Sequence, residues 1–286
     1  MWKAAAIMFI AMSFIPAGDS AGKLLSSVHG APPIFIAASR FLVGALIVLP
    51  FVLRDGWRIY SDWRLWLRGL MLTGGIVSIQ IALKTAPLAD VFAAFFIGPA
   101  FSTVLAIVLL REPLDLRRAV LLGLGFGGVL MVVRPELEAA PGLEYAVLAG
   151  MFYGAYLTAS RWLGGVVAPR ILLFSQLALS AVVTVPIALP HIPEITTEIA
   201  WLTLASAICS MLGNGLLILA YRIELASRLA PLVYFQLVAA TVLGWMIFGD
   251  LPDLLTWAGL AMILGSGIAS ALLRPGRPPA LRTDRA

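Results

Sequence analysis

Apolar runs long enough to cross a lipid bilayer occupy almost the whole of this chain. A helix needs about 20 apolar residues to span the hydrocarbon core, and ten such runs follow one another, separated by short connections. Hydrophobic residues make up 61% of the sequence and charged residues only 12%, about half the charged content of a soluble domain. We therefore predict an all-α integral membrane protein. Its ten transmembrane helices are expected at residues 3–25, 33–53, 65–84, 88–110, 116–133, 143–162, 170–190, 199–221, 227–248 and 254–273.

The two halves of the sequence match each other at a constant shift of 138 residues. The shift places Phe14 on Phe152 in the first pair of spans, and Gly75 on Gly213 in the third pair. Single matches between apolar sequences are common, but one register maintained over five successive spans indicates an internal duplication. Because five is an odd number, the second half enters the membrane from the opposite side. The sequence therefore predicts two inverted five-helix repeats, an arrangement found in many secondary transporters.

The duplication also predicts where the domains begin and end. We expect a first repeat over residues 1–137, a second repeat over 138–274 and a cytoplasmic tail over 275–286. The beginning of the chain imitates a secretory signal peptide, because Lys3 precedes an apolar stretch that ends in small residues. This stretch has a counterpart in the second repeat, so we assign it to the first transmembrane helix.

Basic residues mark the cytoplasmic side of a membrane protein. If the N-terminus is cytoplasmic, 16 of the 20 Lys and Arg residues fall on the cytoplasmic side. The remaining four are Lys23, Arg40, Lys84 and Arg134. The charge distribution and the even number of spans together predict cytoplasmic N- and C-termini, in a multi-pass protein of the bacterial inner membrane.

Residues suited to metal, cofactor or nucleic-acid chemistry are scarce. Cys209 is the single cysteine and lies within an apolar run, while His29 and His191 lie in loops far apart in the sequence. A lone Cys can form neither an intramolecular disulfide nor a metal cluster. The sequence contains no phosphate-binding loop and no catalytic nucleophile motif. We predict no metal, no cofactor, no nucleic-acid partner and no enzymatic activity.

Short motifs recur in the same order in the two halves. In the first half these motifs are Arg40, Ala82-Leu83, Pro99, Arg111-Glu112-Pro113 and Arg134-Pro135. In the second half they are Ala220-Tyr221, Gly249-Asp250, Gly259, Gly265, Gly267 and Arg274-Pro275. Together they resemble the EamA-type family of the drug/metabolite transporter superfamily. Within that family, the sequence is most similar to YddG-like bacterial amino-acid exporters.

The resemblance implies a basket of ten helices around a central cavity, lined mainly by spans 1, 3, 4, 6, 8 and 9. The two halves differ within the motifs, because Ala178 stands at the position equivalent to Arg40, and Leu237 at the position equivalent to Pro99. We therefore expect an asymmetric site at the junction of the halves. The resemblance is also compatible with a functional monomer.

Ionisable residues inside a span are costly in lipid and suggest a functional site. Asp19 lies in the outer half of span one, Lys23 lies one turn further on the same face, and Arg40 lies about two turns into span two. We expect Asp19 to pair with Arg40 or with Lys23. Such a pair could form an outer gate, an ion-coupling site for protons or a clamp for a zwitterionic substrate. It could also be a structural link between spans one and two.

Aromatic and amide side chains near the predicted midplane are candidates for substrate binding. Aromatic rings stack on apolar or aromatic ligands, and amides bond the polar ends of a ligand. A buried amide in lipid demands a partner, which is either a substrate or a neighbouring helix, and the aromatic residues can instead face lipid or pack between helices. The candidates are Phe14, Gln80, Phe95, Phe96, Tyr153, Tyr156, Asn214, Tyr234 and Gln236.

Two prolines inside spans are candidate hinges. Pro16 in span one and Pro99 in span four each free a backbone carbonyl and allow a kink. Pro16 precedes Asp19 by three residues, so a hinge there would couple bending of span one to the state of the acid. A static kink is the alternative.

These features predict a secondary transporter that works by alternating access and exports small organic metabolites, chiefly amino acids including aromatic ones. One alternative is an importer of a metabolite such as S-adenosylmethionine. An intramembrane lipid-modifying enzyme would need His, Asp, Glu or Ser clustered at a membrane surface, which the sequence lacks. The buried polar residues also argue against a purely structural membrane protein. The expected partners are a small-molecule substrate and the lipid bilayer.

Overall fold

The structure, a computed structural model, is almost entirely helical over the residues that it describes. It describes residues 2–53, 62–110, 116–133, 141–162, 168–223 and 232–272. Within these ranges no β-strand is present, which agrees with the predicted all-α class. The predicted tail over 275–286 and the motif residues 111–113 and 134–135 lie outside the described residues.

The helices follow the order of the predicted spans. The first repeat contains α1 (Trp2–Ser27), α2 (Pro33–Val48), α3 (Trp63–Thr85), α4 (Leu88–Phe95), α5 (Ile97–Leu110) and α6 (Leu116–Val133). The second repeat contains α7 (Leu143–Trp162), α8 (Pro169–Ala188), α9 (Thr197–Ile223), α10 (Phe235–Leu243) and α11 (Leu254–Leu272). Both α2 and α8 begin with a proline, which costs nothing at the first helical position because that N–H has no partner within the helix.

Several helical segments are long and apolar enough to cross a membrane. In the described residues there are six, namely Lys3–Ser27, Pro33–Phe51, Trp63–Thr85, Leu88–Leu109, Arg170–His191 and Thr197–Leu217. Shorter apolar segments cover Gly123–Val132, Phe235–Phe248 and Leu254–Ala269. Helix α7 is in neither group, because polar residues such as Glu144 and Thr158 lower its mean hydropathy. The protein is a multi-pass membrane protein.

The fourth predicted span, 88–110, is not one continuous helix. It is divided at Phe96 into α4 and α5. Pro99 accounts for the break, because proline has no N–H to donate to the carbonyl of Phe95 four residues earlier. Glycine at position 150 of α7 packs against that carbonyl, since a Cβ at Gly150 would lie 2.5 Å from the Phe95 oxygen. The break therefore also sets how closely α7 approaches this span.

Helices of one repeat pack on helices of the other, so the repeats do not form separate bundles. Helix α1 of the first repeat packs on α9 of the second, and α7, the counterpart of α1, packs on α3, the counterpart of α9. Helix α2 packs on α8, and α6 packs on α11, so each of these helices contacts its own counterpart. The interface between the repeats therefore runs through the centre of the molecule.

Equivalent glycines show that this packing follows the register of the duplication. Gly75 of α3 faces the carbonyl of Ala149 on α7. Gly213 of α9 faces the carbonyl of Ala11 on α1. Gly213 follows Gly75 by 138 residues, and Ala149 follows Ala11 by 138 residues. The shift found in the sequence is thus also a repeated contact in three dimensions.

Helices α6 and α11 cross at a pair of glycines. A Cβ at Gly128 would lie 2.7 Å from the carbonyl oxygen of Gly259, and a Cβ at Gly259 would lie 2.7 Å from the carbonyl oxygen of Gly128. Helix association in lipid depends on close packing of this kind, because the hydrophobic effect does not drive apolar helices together within a bilayer. The crossing therefore requires small residues on both helices.

We expect Gly128→Ala to destabilise the protein by about 1–3 kcal/mol through overpacking. The midpoint of thermal unfolding of purified protein in detergent measures the effect. Gly123→Ala is the matched control, because it lies on the same helix and a Cβ there has no neighbour within 4 Å. The control should keep or raise the midpoint, since Ala favours helix over Gly. Equal midpoints for the two variants would contradict this account of the crossing.

Candidate functional site

A cavity lies between the two repeats at mid-height of the helices. It is partly open to its surroundings. Both repeats line it, through α1, α2, α3 and α4 on one side and α7, α8, α9 and α10 on the other. Most of the lining is apolar, and its polar side chains are Asp19, Arg40, Tyr153, Gln176, Ser210, Asn214 and Gln236.

A buried ion pair forms one wall of the cavity. Arg40 Nη1 lies 2.5 Å from Asp19 Oδ1, and the two residues are only 5% and 4% exposed. Arg40 Nε donates to Ser206 Oγ at 2.7 Å, and Nη2 donates to the Gly18 carbonyl, which also accepts a hydrogen bond from Ser206 Oγ. The pair therefore ties together α1, α2 and α9.

Gln80 joins this network from α3. Its Nε2 donates to Asp19 Oδ1 at 3.1 Å, and the residue is fully buried. Gly22 provides the space, because a Cβ there would lie 2.6 Å from Gln80 Oε1 and 2.9 Å from Arg40 Nη2. A larger residue at position 22 would displace the amide or the guanidinium.

Two oxygen atoms of the network accept no hydrogen bond from the described residues. One is the buried Oε1 of Gln80. The other is Oδ2 of Asp19, because both hydrogen bonds to this carboxylate end on Oδ1. Asp19 lines the cavity, so a hydrogen-bond donor in the cavity can approach its Oδ2. An ammonium group or a water molecule in the cavity would supply the missing donor.

Lys23 joins three segments at one face of the protein. Its Nζ donates to the Ala86 carbonyl at 2.6 Å, lies 3.6 Å from Asp250 Oδ2, and sits 4.9 Å from the centroid of the Phe248 ring. Ala86 belongs to the α3–α4 connection and Asp250 follows α10, so the contacts cross between the repeats. We call this side of the protein the Lys23 face. Of the two pairings expected for Asp19, the one with Lys23 does not form.

Four of the residues expected to bind substrate line the cavity, namely Phe95, Tyr153, Asn214 and Gln236. The rings of Phe95 and Tyr153 lie 5.0 Å apart between centroids, tilted by 40°. Asn214 Nδ2 donates to the Ser210 carbonyl of its own helix at 2.8 Å. Gln236 makes no side-chain hydrogen bond to the described residues. These amides keep polar capacity for a ligand in the cavity.

Three other predicted residues lie outside the cavity lining. The ring of Phe96 stacks on that of Tyr234, with 5.1 Å between centroids. Tyr234 in turn covers Gly267 of α11, where a Cβ would be 2.0 Å from the Tyr234 ring. Phe96 stands at the break between α4 and α5. Phe14 of α1 is not among the lining residues either.

A second polar cluster surrounds Tyr156. Its hydroxyl accepts a hydrogen bond from Arg68 Nη2 at 2.7 Å and donates one to Gln176 Oε1 at 2.8 Å. Arg68 also donates from Nε to Ser160 Oγ at 2.8 Å and from Nη1 to the Leu172 carbonyl at 3.1 Å. Tyr156 therefore lies behind the cavity wall that Gln176 forms.

Sequence reasoning missed Arg68 and Gln176. Arg68 was counted among the cytoplasmic loop charges, although it lies inside the predicted span 65–84. An ionisable residue within a span was the available signal. Gln176 lies within the predicted span 170–190, where its amide was an equal indication of a buried polar site.

The two candidate hinges differ in their surroundings. Helix α1 continues through Pro16, and Ser20 Oγ donates to the Pro16 carbonyl at 2.8 Å. Pro99 is the third residue of α5, directly after the break in span four, and its side chain lies outside the described residues. The hinge roles of both residues stay predictions.

The described cavity lies between two repeats that match the same protein-family model. The model for the EamA-like transporter family matches residues 2–134 and again residues 140–271. The chain belongs to the EamA-like transporter family. The matched segments begin at residues 2 and 140, which reproduces the 138-residue shift of the duplication. Membership of this family indicates a membrane transporter of small molecules rather than an enzyme.

Characterised relatives include proteins that move different molecules in different directions. An S-adenosylmethionine uptake transporter of Rickettsia prowazekii (strain Madrid E) is 26% identical over 242 residues, covering 80% of this chain and 79% of the relative. A pseudopaline exporter of Pseudomonas aeruginosa (strain UCBPP-PA14) is 27% identical over 251 residues, covering 86% of this chain and 88% of the relative. A crystal structure with 21% sequence identity superimposes with a TM-score of 0.66, covering 96% of this chain and 97% of the other, which supports the fold.

We expect Arg40→Gln to destabilise the protein by about 3–5 kcal/mol, because it leaves the Asp19 carboxylate buried without its cation. The Asp19→Asn/Arg40→Gln double variant should be more stable than Arg40→Gln alone, since no charge then remains buried. The midpoint of thermal unfolding in detergent measures both effects.

Arg64→Gln is the control for loss of a basic residue. Arg64 lies 3.9 Å from Asp62 in a pair whose side chains are partly exposed, and such surface pairs contribute little to stability. If Arg40→Gln proves as stable as Arg64→Gln, the ion pair does not stabilise the junction of α1, α2 and α9.

Proposed function

We propose that this EamA-like transporter is a secondary carrier that exports small organic metabolites, chiefly amino acids including aromatic ones, by alternating access. The observation that carries the proposal is the cavity between the repeats. It combines a carboxylate with an unpartnered oxygen, amides with spare hydrogen-bonding capacity and aromatic rings. It is lined by both repeats, and the junction of the repeats is where secondary transporters bind substrate.

The chemistry of the cavity suits a zwitterion with an apolar or aromatic side chain. Asp19 Oδ2 can accept hydrogen bonds from an ammonium group. Asn214 and Gln236 can bond other polar atoms of the ligand, and the rings of Phe95 and Tyr153 offer a surface for its side chain. The notion of a zwitterion clamp at Asp19 and Arg40 therefore stays a proposal that this geometry supports.

We further propose that all ten predicted segments cross the membrane. Helix α7 has 20 residues and is therefore about 30 Å long, enough to span the hydrocarbon core. It packs between α3 and α5, so its polar residues are shielded from lipid by neighbouring helices. With ten spans, the loop charges place both termini in the cytoplasm of a bacterial cell, in its inner membrane, and make the Lys23 face the outer face.

Alternating access would use the two repeats, over residues 1–137 and 138–274, as the units that rock against each other. The contacts of Lys23 with Ala86 and Asp250 join α1 to segments of both repeats at the Lys23 face. They must break if the cavity is to open there, which makes Lys23 the proposed outer gate. The cavity lies within one chain, so a monomer suffices for transport.

The direction of transport is the least constrained part of the proposal. The relatives include an uptake transporter and an exporter, and the cavity itself has no built-in direction. We propose export because the motifs resemble those of amino-acid exporters, and uptake systems share the same motifs. The experiment below therefore measures movement in both directions.

Purified protein in liposomes should accelerate both the release of preloaded labelled amino acids and their uptake, relative to liposomes without protein. We expect Asn214→Ala to lower the initial rate about tenfold, because a lost hydrogen bond to a ligand costs on the order of 1 kcal/mol or more. The rate is measured for a panel of apolar, aromatic and charged amino acids and other small metabolites.

Leu212→Ala serves as the matched control, since Leu212 is an exposed residue of the same helix and does not line the cavity. It should transport as the unmodified protein does. Failure of the unmodified protein to move any member of the panel would overturn the proposed function. Unchanged transport by Asn214→Ala would restrict Asn214 to a packing role.

A further inference from the structure

Arg68 is a buried cation that has no carboxylate partner among the described residues. It is 5% exposed, and its guanidinium donates to the Ser160 hydroxyl, the Leu172 carbonyl and the Tyr156 hydroxyl, all of them uncharged. The guanidinium also lies 4.6 Å from the centroid of the Tyr156 ring. Buried charges in proteins are normally paired. Among the described residues, this one is held by uncharged hydrogen-bond acceptors and by the Tyr156 ring.

The cluster lies at the end of the cavity away from the Lys23 face. Arg68 precedes Ala86 by 18 residues on or next to α3, a separation of about 27 Å along a helix. Gln176, which accepts the hydrogen bond of the Tyr156 hydroxyl, lines the cavity, and so does Tyr153, whose ring stacks on that of Tyr156 at 5.7 Å. Tyr156 therefore stands between the cavity wall and the guanidinium.

The duplication makes this cluster the counterpart of the Arg40 junction. Under the 138-residue shift, Tyr156 corresponds to Gly18, and Arg68 corresponds to Ser206. Gly18 and Ser206 are the groups that hold the guanidinium of Arg40. Each junction thus has one arginine, supplied by α2 in the first case and by α3 in the second.

The two junctions differ in charge. At the first, Asp19 balances the arginine, whereas Leu157 stands at the position equivalent to Asp19 in the second. Among the described residues, the first junction is therefore neutral and the second carries one uncompensated positive charge. An anion that reaches the second junction from the cavity would balance the charge of Arg68, as Asp19 balances that of Arg40.

We propose that Arg68 and Tyr156 form a binding site for the carboxylate of the transported molecule, an inference that rests on the proposed function. A substrate carboxylate oxygen replaces Gln176 Oε1 as the acceptor of the Tyr156 hydroxyl. The hydrogen bond from Arg68 polarises that hydroxyl and strengthens its bond to an anion. Tyr156 is then the contacting residue, and Arg68 acts through it as a positioning residue that supplies the charge.

The test compares acids with their amides, which keep the ammonium group and the side chain but lose the negative charge. Initial rates are measured for phenylalanine against phenylalaninamide, and for leucine against leucinamide, in phosphatidylcholine liposomes that contain no anionic headgroup. The unmodified protein should favour the acid about tenfold or more. Arg68→Gln and Tyr156→Phe should bring the ratio of acid to amide rates close to one.

Matched controls lie on the same helices. Arg64→Gln replaces a partly exposed residue of α3, and Tyr145→Phe replaces an exposed residue of α7. Both variants should keep the preference for the acid. Ser160→Asp gives Arg68 an internal carboxylate while leaving the arginine in place, so it too should abolish the preference. This variant decides the question if Arg68→Gln does not reach the membrane.

A preference for the acid that survives in Ser160→Asp, or in Arg68→Gln with both rates lowered equally, would overturn the inference and leave the proposed function standing. The same holds if the unmodified protein moves acid and amide equally well. If it moves neither member of either pair, nor any metabolite of the broader panel, the proposed function fails and this inference fails with it.

Discussion

The ion pair between Asp19 and Arg40 is the interaction on which the arrangement of the central helices depends. Burial among helices removes most of the hydration of the two charges, so each charge needs the other and a set of hydrogen bonds. Those bonds come from α1, α2, α3 and α9, which belong to both repeats. Glycines at 18 and 22 permit the required approach to α1. The cavity opens beside this junction, and its first polar group is the second oxygen of the same carboxylate.

Duplication followed by divergence explains why the site is asymmetric. Equivalent helix crossings exist on the two sides of the cavity, as the contacts of Gly75 and Gly213 show. At one crossing the arginine is paired with an acid. At the other, the hydrogen-bond partners of Arg68 among the described residues are neutral. A carrier built from inverted repeats therefore need not present the same chemistry at its two ends. In our proposal the ammonium and the carboxylate of one ligand are recognised by different ends of the cavity.

The sequence revealed the class of the fold better than the details of the site. Long apolar runs and the 138-residue register predicted helices and repeats, because both signals extend over the whole chain. The resemblance of the ordered motifs in the two halves indicated the family. The depth of Asp19 and Arg40 in adjacent spans also made their pairing one of two expected outcomes. Lys23 instead pairs with Asp250, a residue of the other repeat, and nothing local to span one indicates that contact.

The remaining misses have specific physical causes. Depth along a helix was predicted, but the direction of a side chain around the helix was not, so Gln80 was expected in the cavity and instead bonds Asp19. Phe96, at the break between α4 and α5, stacks on Tyr234 outside the cavity lining. Arg68 was missed because it lies near a helix end. A basic residue at that place in the sequence can be a cytoplasmic loop charge or part of a buried polar site. Loop-charge counting cannot distinguish these two positions.

Alternating access of the central cavity is tested most directly at Ser210, which lines it. With the single native cysteine removed by Cys209→Ser, a cysteine introduced as Ser210→Cys can be labelled with a membrane-impermeant thiol reagent. The labelling is measured in right-side-out vesicles and in inside-out vesicles. If the repeats rock around the cavity, the cysteine should react from both sides, and a transported amino acid should change the two rates in opposite directions. Labelling from one side only, whether or not that amino acid is present, would contradict alternating access.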